Sequence, residues 1–510
     1  MNIDAATQNS SIPVYSEEEA FSNGTIGMII WIRKFVQLGL FTFFLELEVN
    51  GVDNVPTDRG GIVIAWHPNG MVDPALIFST FPRQLMFGAR HGLFKWPMLG
   101  WIMRQVNTVP IYRRQDLRGM SVDEQRAKNQ QSLDAMSERI GSGAFTALFP
   151  EGVSHDDPCL KQLKTGAARI FDAAYQRDTE YAPVIIPVGL HYDHKQRFRS
   201  SVLVSYHPPI VIPDNIWEHT DSKVRWEKLT HLMEQTLTEA IYAMEDWTMH
   251  RNFHRAASLV RAERLADQQG VGSASITERV IGVARLWQGY HLRRQTHPEE
   301  VAVIVARIEQ YRLDMEALGL LDHQLDGDVR WISRRVLVIL GLQSILVALV
   351  LPPLLFVGYI INFPTMYLIR YVVLHRVKFQ KDRASVQLFS SLVLYPLTWG
   401  LWSALAYFGA LEADVLLPLF PSIPDVPVAA TIFVGSIAMI SCIVMFVYLR
   451  ALQRMFRAWK VRWTRRTKRG YIQSLLEERR QLTAELIEFS EGLELPGELG
   501  PDNKLHWGET

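Results

Sequence analysis

The stretch Gly61-Ile-Val-Ile-Ala-Trp-His67-Pro-Asn-Gly-Met-Val-Asp73-Pro74 joins a short apolar run to a loop that carries a histidine and an aspartate. We predict a strand over 62–66 that delivers His67 to its end. An aspartate six positions further on can bind one imidazole nitrogen and leave the other free as a general base. A His–Asp pair in one loop is also common as a purely structural hydrogen bond. The stretch therefore needs support from the rest of the chain.

Short apolar runs alternate with helix-like segments from about residue 50 to residue 215. This alternation is typical of an α/β sandwich with at least partly parallel strands. Helices are predicted over 121–140 and 166–177. The other predicted strands cover 84–88, 108–112, 145–149, 184–190 and 201–205.

Composition excludes some classes of protein. The 510 residues include 53 basic and 53 acidic side chains, so zero net charge gives no argument for a nucleic-acid partner. Apolar residues concentrate between about 336 and 449, as expected for a membrane protein with a sizeable soluble part. The two cysteines, Cys159 and Cys442, provide neither a disulfide framework nor a zinc-binding spacing.

Six regions follow from these shifts in composition. The polar, acidic residues 1–24 are predicted to be disordered and lack the features of a signal peptide. An aromatic-rich helix at 25–49 is predicted to lie in a membrane interface, although it is almost long enough to cross a bilayer. The remaining regions are an α/β domain (50–215), a helical connector (216–330) with a capping box at Ser275 and Glu278, a transmembrane region (331–450) and a basic helical tail (451–510).

Loop charges predict the membrane topology. The loop 411–427 has acidic residues and no lysine or arginine, whereas 370–383 and the segment after Arg450 are strongly basic. Basic loops favour the cytoplasmic side, so the catalytic domain is expected on that face of an integral membrane protein. Arginines before the apolar stretch 336–362 also favour the inside. Both of its ends would then be cytoplasmic, so we predict a bent or re-entrant hairpin at Pro352-Pro353.

Further motifs follow the His–Asp loop. Phe149-Pro-Glu151-Gly152 ends a predicted strand, and Val153-Ser-His155-Asp156 follows it. Between these motifs and His67 lies Val109-Pro-Ile-Tyr-Arg113-Arg114, a strand that ends in cations. A guanidinium matches phosphate oxygens, although a surface charge pair remains an alternative for each arginine. A later strand contains Ile186-Pro-Val-Gly-Leu190.

Taken in this order, the four motifs resemble the PlsC-like glycerolipid acyltransferase family. Two departures are similar to a branch of fungal glycerol-3-phosphate/dihydroxyacetone-phosphate acyltransferases and bacterial relatives. Five residues rather than four separate His67 from Asp73, and Ser154-His155-Asp156 replaces the usual Thr-Arg. Trp66 stands where asparagine is usual. The resemblance continues in Gly189-Leu-His-Tyr192, Arg197-Phe-Arg199, Leu318-Gly-Leu320 and Lys381-Asp-Arg-Ala-Ser385.

The resemblance implies a PlsC-like αβα sandwich that transfers an acyl group from a thioester, acyl-CoA or acyl-carrier protein, to a glycerol hydroxyl. His67 would be the general base, and Asp73 would orient its ring. No other cofactor is implied. The acceptor itself is the nucleophile, in keeping with a sequence that lacks a Gly-x-Ser-x-Gly elbow.

Several residues are implied in acceptor binding. Arg113 would bind the phosphate, with Arg90 and Lys164 as supporting cations. Glu151 would bind glycerol hydroxyls, and Gly152 would let the phosphate approach the backbone. His155 and Asp156 would either bind the acceptor or brace the loop. A metal at His155-Asp156-Asp157 is not expected, because two further ligands cannot be placed.

The departures favour acylation at position 1 of glycerol 3-phosphate or dihydroxyacetone phosphate. The alternatives are a lysophosphatidate acyltransferase and a non-catalytic lipid-binding membrane scaffold.

Overall fold

The protein is described by a computed structural model that covers residues 24–95, 97–112, 121–177, 182–195, 197–266, 274–326, 334–377, 383–416, 426–501 and 504–507. The predicted disorder of 1–24 therefore falls almost wholly outside the described residues. The chain forms two compact units. The first takes its described residues from Met1–Arg251, Ala274–Ala284 and Phe379–Ser385, and the second from the rest.

The first unit is built on a mixed β-sheet. In the described residues seven strands form it, in the spatial order β1-β7-β6-β2-β5-β3-β4. Neighbouring strands are parallel except for the antiparallel pair β6 and β7. The strands are β1 (Glu46–Asn50), β2 (Gly61–Ala65), β3 (Leu85–Arg90), β4 (Val109–Ile111), β5 (Phe145–Leu148), β6 (Val184–Tyr192) and β7 (Ser201–Tyr206).

All six predicted strands are present, and each of their ends lies within two residues of the prediction. β1 is an addition. The predicted interfacial helix extends to residue 49. In the structure, α1 (Gly24–Phe43) ends earlier, and Glu46 of β1 pairs with Ser201 of β7. Residues 46–49 alternate glutamate with leucine and valine, a strand period that the preceding aromatic run obscured.

Helices cover both faces of this sheet. The even-numbered residues Ile62 and Ile64 of β2 face a buried core shared with α4 (Val122–Gly141), α5 (Gly166–Tyr175) and α6 (Ser222–Ala240). Ser121 and Glu124 form a capping box that fixes the start of α4.

The opposite face is covered by α2 (Val72–Thr80) and α1. Phe81 follows α2 and packs edge-on against Phe145, with ring centroids 5.1 Å apart. The hydroxyl of Thr80 lies 2.7 Å from that of Tyr206. Helices on both sides of one sheet give the three layers expected of an αβα sandwich. This unit also contains α3 (Pro97–Gln105) and parts of α7 (Trp247–Ala266) and α8 (Ile276–Thr296), which are shared with the second unit. Residues 383–385, the start of a later helix, belong to it as well. Ser275 Oγ accepts the Glu278 N–H, as the predicted capping box requires.

The second unit is helical in its described residues, apart from a short hairpin formed by β8 (Glu498–Leu499) and β9 (Leu505–His506). Arg479 is almost fully buried and donates to Glu263 and Asp326. Its own helices are α9 (Pro298–Leu318), α10 (Arg334–Ile345), α11 (Leu351–Tyr371), α12 (Arg383–Leu416), α13 (Val426–Thr467) and α14 (Arg469–Ser490).

Among the described residues, two helical segments are long and apolar enough to cross a membrane, Arg383–Glu412 and Pro427–Thr467. The hairpin predicted at Pro352-Pro353 is not formed. A π-turn over 346–350 joins α10 to α11, and its flanking residues Ile345 and Leu351 are both right-handed helical. The two prolines directly follow this π-turn inside a continuous helical run, and they lack the N–H groups that an unbroken α-helix would use there.

A buried amide ties three apolar helices together. Asn362 of α11 donates to Ala438 O and Ser441 Oγ of α13, at 3.1 Å each. Its carbonyl oxygen accepts from Trp399 Nε1 of α12 at 2.9 Å. Buried polar groups need partners, so this cluster satisfies the amide and fixes how the helices pack.

Candidate active site

The His–Asp loop lies at the carboxyl end of β2. The chain turns after Ala65, and Asp73 occupies the first turn of α2. Nδ1 of His67 lies 2.8 Å from Oδ2 of Asp73. The Asp73 side chain is fully buried, whereas 18 % of the His67 side chain is exposed. Asp73 therefore occupies one ring nitrogen and leaves Nε2 as the nitrogen that can meet a substrate. Open α/β sheets bind ligands at this edge.

Asp73 has two further donors. The Asn69 N–H donates to Oδ2 at 2.7 Å, and the Tyr192 hydroxyl donates to Oδ1 at 2.5 Å. Burial and the adjacent Asp73 carboxylate hold the pKa of Tyr192 well above its usual value, so this hydroxyl keeps its proton and remains a donor. Three donors therefore hold this carboxylate in place.

Tyr192 and Asn69 were not predicted as site residues. Both lie in segments that carry the family resemblance, but no role for either follows from the sequence. The register explains why Tyr192 reaches Asp73: Ala65 of β2 pairs with Val188 of β6, so β6 continues four residues beyond that pair. The one feature that could reveal the role of Tyr192 is that β6 extends beyond β2. This difference in length becomes visible only when the sheet has formed.

The Phe-Pro-Glu-Gly motif packs directly against His67. The Phe149 ring stacks on the imidazole, with centroids 4.2 Å apart and planes 18° apart. Glu151 Oε2 accepts the His67 N–H at 3.1 Å, and the His155 N–H donates to the His67 carbonyl at 3.1 Å. Two loops that are far apart in sequence are thus joined at the same histidine.

Glu151 is committed to partners inside the protein. It is 1 % exposed, and its second oxygen accepts from His155 Nε2 at 2.7 Å and from the Lys161 N–H at 2.9 Å. Nδ1 of His155 accepts the Asp157 N–H at 3.2 Å, which places the ring proton on Nε2. Glu151 and His155 therefore form a buried brace behind the motif.

Asp156 and Trp66 extend this brace. Asp156 forms an ion pair with Lys195 at 2.8 Å, and the Lys195 carbonyl accepts from Asn69 Nδ2 at 2.9 Å. Trp66, unusual at its position, donates its indole N–H to the Leu190 carbonyl at 3.1 Å. These contacts link the loops after β2, β5 and β6.

Gly152 and a cation meet in the loop after β5. This glycine has φ +68°, and a Cβ there would lie 3.0 Å from Lys164 Nζ. The Gly152 N–H donates to the Phe149 carbonyl and the Lys164 N–H to the Pro150 carbonyl, at 2.9 Å each, while the Lys164 residue is exposed. Glycine at this position lets the Lys164 ammonium group lie close to the backbone.

Of the two arginines predicted to bind phosphate, the structure describes only Arg90. Arg90 is exposed at the end of β3, in register with Ile111 and two strands from β2 at the same edge of the sheet. Arg113 lies outside the described residues. Among the residues that are described, no group of three or more His, Cys, Asp or Glu side chains is placed to hold a metal ion.

The family model described as Acyltransferase matches residues 46–191, from the start of β1 to the penultimate residue of β6. The chain carries an acyltransferase domain. That domain contains His67, Asp73, Glu151 and His155, and it ends one residue before Tyr192.

Several relatives are similar to the acyltransferase domain. Glycerol-3-phosphate O-acyltransferase 2 of Saccharomyces cerevisiae is 24 % identical over 201 residues, covering 39 % of this chain and 26 % of the yeast protein. Lyso-ornithine lipid O-acyltransferase of Rhodobacter capsulatus is 33 % identical over 138 residues, covering 27 % and 44 %. Chloroplastic 1-acyl-sn-glycerol-3-phosphate acyltransferase of Arabidopsis thaliana is 26 % identical over 154 residues, covering 30 % and 39 %. The match thus spans less than half of each relative, and their names cite three different acceptors.

Proposed function

We propose that this chain is a membrane-bound O-acyltransferase that moves a fatty acyl group from a thioester to the sn-1 hydroxyl of glycerol 3-phosphate or dihydroxyacetone phosphate. One observation carries the proposal. A fully buried Asp73 holds Nδ1 of His67 at 2.8 Å, inside an acyltransferase domain, and the imidazole is partly exposed.

This geometry suits general-base catalysis of acyl transfer. An acceptor hydroxyl gives its proton to His67 Nε2 as its oxygen bonds to the thioester carbonyl carbon. The tetrahedral intermediate then collapses, the C–S bond breaks, and the leaving thiolate takes the proton from the imidazolium. Asp73 stabilises the imidazolium between these steps, as in a catalytic triad. A positioned base contributes on the order of 10²- to 10⁴-fold.

We assign acceptor binding to three cations. Arg90, Arg113 and Lys164 would bind the phosphate, and Gly152 would let it approach the backbone. Glu151, predicted to bind glycerol hydroxyls, has both carboxylate oxygens engaged within the protein. We therefore assign Glu151 and His155 to holding the His67 backbone in place, and Asp156 to bracing the loop through Lys195.

The choice of acceptor rests on sequence. The five-residue spacing between His67 and Asp73 and the Ser154-His155-Asp156 run favour the first acylation of a glycerol phosphate. The similarity to the yeast glycerol-3-phosphate enzyme is in keeping with this choice. The similarity to the Arabidopsis enzyme favours lysophosphatidate as the second candidate.

Membrane attachment is supported by α1 and by the two long apolar helices. One face of α1 exposes a stripe of large apolar side chains, with Trp31 74 % exposed. Its other face is tied to the domain, because Arg33 is buried and donates to the carbonyls of Ser79 and Phe81. A helix fixed along one face and apolar on the other suits a membrane interface rather than a crossing. The stripe consists of Met28, Trp31, Phe35, Leu38 and Phe41, and the exposed Leu45 follows the helix.

An acceptor competition tests the proposal. Purified full-length protein would receive a labelled acyl-CoA or acyl-carrier protein together with glycerol 3-phosphate, dihydroxyacetone phosphate or lysophosphatidate, each offered alone. We expect turnover of one of the first two. His67→Ala should abolish it, while His231→Ala, at an exposed histidine of α6, should not.

Two outcomes would contradict the proposal in different ways. Turnover of lysophosphatidate alone would transfer the assignment to the second acylation. Absence of turnover with every donor and acceptor, or full activity of His67→Ala, would favour a non-catalytic lipid-binding scaffold.

A further inference from the structure

The helix that carries Asp73 has no capping side chain of its own. Its N-cap residue is Met71, whose side chain cannot accept a hydrogen bond. The first N–H groups of a helix need acceptors from outside it, and a missing cap weakens the first turn. Asp73 lies in that first turn, so any loosening there moves the catalytic carboxylate.

The missing acceptor comes from a remote segment. Ser385 Oγ accepts the Met71 N–H at 2.9 Å. Ser385 is 6 % exposed, and its neighbour Ala384 is fully buried. Both belong to the same compact unit as the catalytic loop, although they begin α12, far beyond the matched domain.

Two other positions of this turn do not involve Ser385. The Val72 N–H donates to the Asn69 carbonyl at 2.9 Å. Pro74 has no N–H to satisfy. The hydroxyl of Ser385 therefore serves one particular peptide group, at the junction between the His–Asp loop and α2.

The far end of α2 is fixed as well. Arg33 of α1 donates to the carbonyls of Ser79 and Phe81, where α2 ends. A cation at this position suits the negative end of a helix. α2 is thus anchored at both ends by side chains that lie outside the His–Asp loop.

We propose that Ser385 is a positioning residue for acyl transfer: it caps α2 from a distance and so holds Asp73 against His67. This inference rests on the proposed function. It gives a role to Lys381-Asp-Arg-Ala-Ser385, which lies outside the matched domain. Ser385 acts through Asp73 and needs no contact with the substrate.

The test combines Ser385→Ala with Asp73→Ala in full-length protein. Loss of the cap should lower kcat about tenfold and leave the acceptor KM within about twofold. Ser385→Thr keeps the hydroxyl and should recover most of the loss. In the Asp73→Ala background, Ser385→Ala should lower the residual rate no further, because two changes that act through one group are not additive. Ser390→Ala, also in α12, is the matched control and should behave as wild type.

Two kinetic results would overturn the proposal. One is a wild-type rate for Ser385→Ala. The other is the same fractional loss from Ser385→Ala in the Asp73→Ala background, which would indicate a general packing defect.

Hydrogen exchange separates this inference from the proposed function. Amides of residues 71–76 should exchange at least several-fold faster in Ser385→Ala than in wild type, and those of α5 should not change. Unchanged exchange at 71–76 refutes the cap even if the enzyme is active. If wild-type protein turns over no acceptor, the proposed function fails, and the exchange result still decides whether Ser385 caps α2.

Discussion

Tyr192 donates its hydroxyl to the Asp73 oxygen opposite the one that faces His67, at 2.5 Å. The three side chains form one hydrogen-bonded chain, from a partly buried phenol through a buried carboxylate to a partly exposed imidazole. A carboxylate held on both oxygens has little freedom to rotate away from the ring it orients. The His–Asp pair is therefore a three-residue arrangement in which Tyr192 fixes the middle member.

Tyr192→Phe should lower kcat about tenfold and change the acceptor KM little, because it removes a hydrogen bond to a charged group without altering the binding cations. Steady-state kinetics on the preferred acceptor check this. Tyr206→Phe, on the neighbouring strand β7, is the matched control, since its buried hydroxyl bonds to Thr80 of α2 instead of to Asp73. An equal loss in both variants would point to general weakening of the sheet.

Glu151→Gln should reduce kcat by about a hundredfold with little change in acceptor KM. An amide cannot accept on both sides, so either the His67 N–H or the His155–Lys161 pair loses its acceptor. Glu138→Gln, at an exposed position of α4, should have no effect. A raised KM for the acceptor with unchanged kcat would instead support the hypothesis that Glu151 contacts the glycerol hydroxyls directly.

Replacing the phosphate-binding cations should raise KM rather than lower kcat. Arg113→Gln is expected to raise the KM for glycerol 3-phosphate at least tenfold, and Arg90→Gln and Lys164→Gln less, because a guanidinium binds phosphate through two parallel hydrogen bonds. Arg126→Gln on α4 is the exposed control. Unchanged KM values in all three variants would remove these residues from the acceptor site.

Acid should destabilise the fold through two buried histidines. Burial lowers the pKa of His191 to about 3 and that of His207 to about 4, against 6.5 for an ordinary histidine. Below pH 6.5 the unfolded chain therefore binds more protons than the folded chain does. Above that pH these histidines do not reduce the free energy of unfolding. It should fall towards pH 4 by about 1.4 kcal/mol per pH unit for each histidine.

Thermal unfolding of the detergent-solubilised protein between pH 4 and pH 8 measures this effect. His207→Gln should flatten the acid limb of the melting-temperature curve. His231→Gln, at an exposed site, should leave it unchanged. An acid limb that His207→Gln does not alter would assign the destabilisation to other groups.

Much of the catalytic domain could be predicted from sequence because the signals were local. Alternation of apolar runs with helical segments gave six of the strands, and the His67 and Glu151 motifs each follow one of them. β1 was missed, since four alternating residues after an aromatic helix carry little weight by themselves. The hairpin at Pro352-Pro353 was wrong, because a π-turn accommodates the proline pair and the chain stays helical through it.

The sequence by itself determined the chemistry: an imidazole and a carboxylate in one loop, with a matched acyltransferase domain around them. Only the tertiary structure decided what holds that chemistry in place. Tyr192 reaches Asp73 because β6 runs past the end of β2, and Ser385 reaches Met71 across more than half the chain. Spacing along a sequence reports on neighbours in a loop or helix, whereas these partners become neighbours only when strands align and remote segments pack.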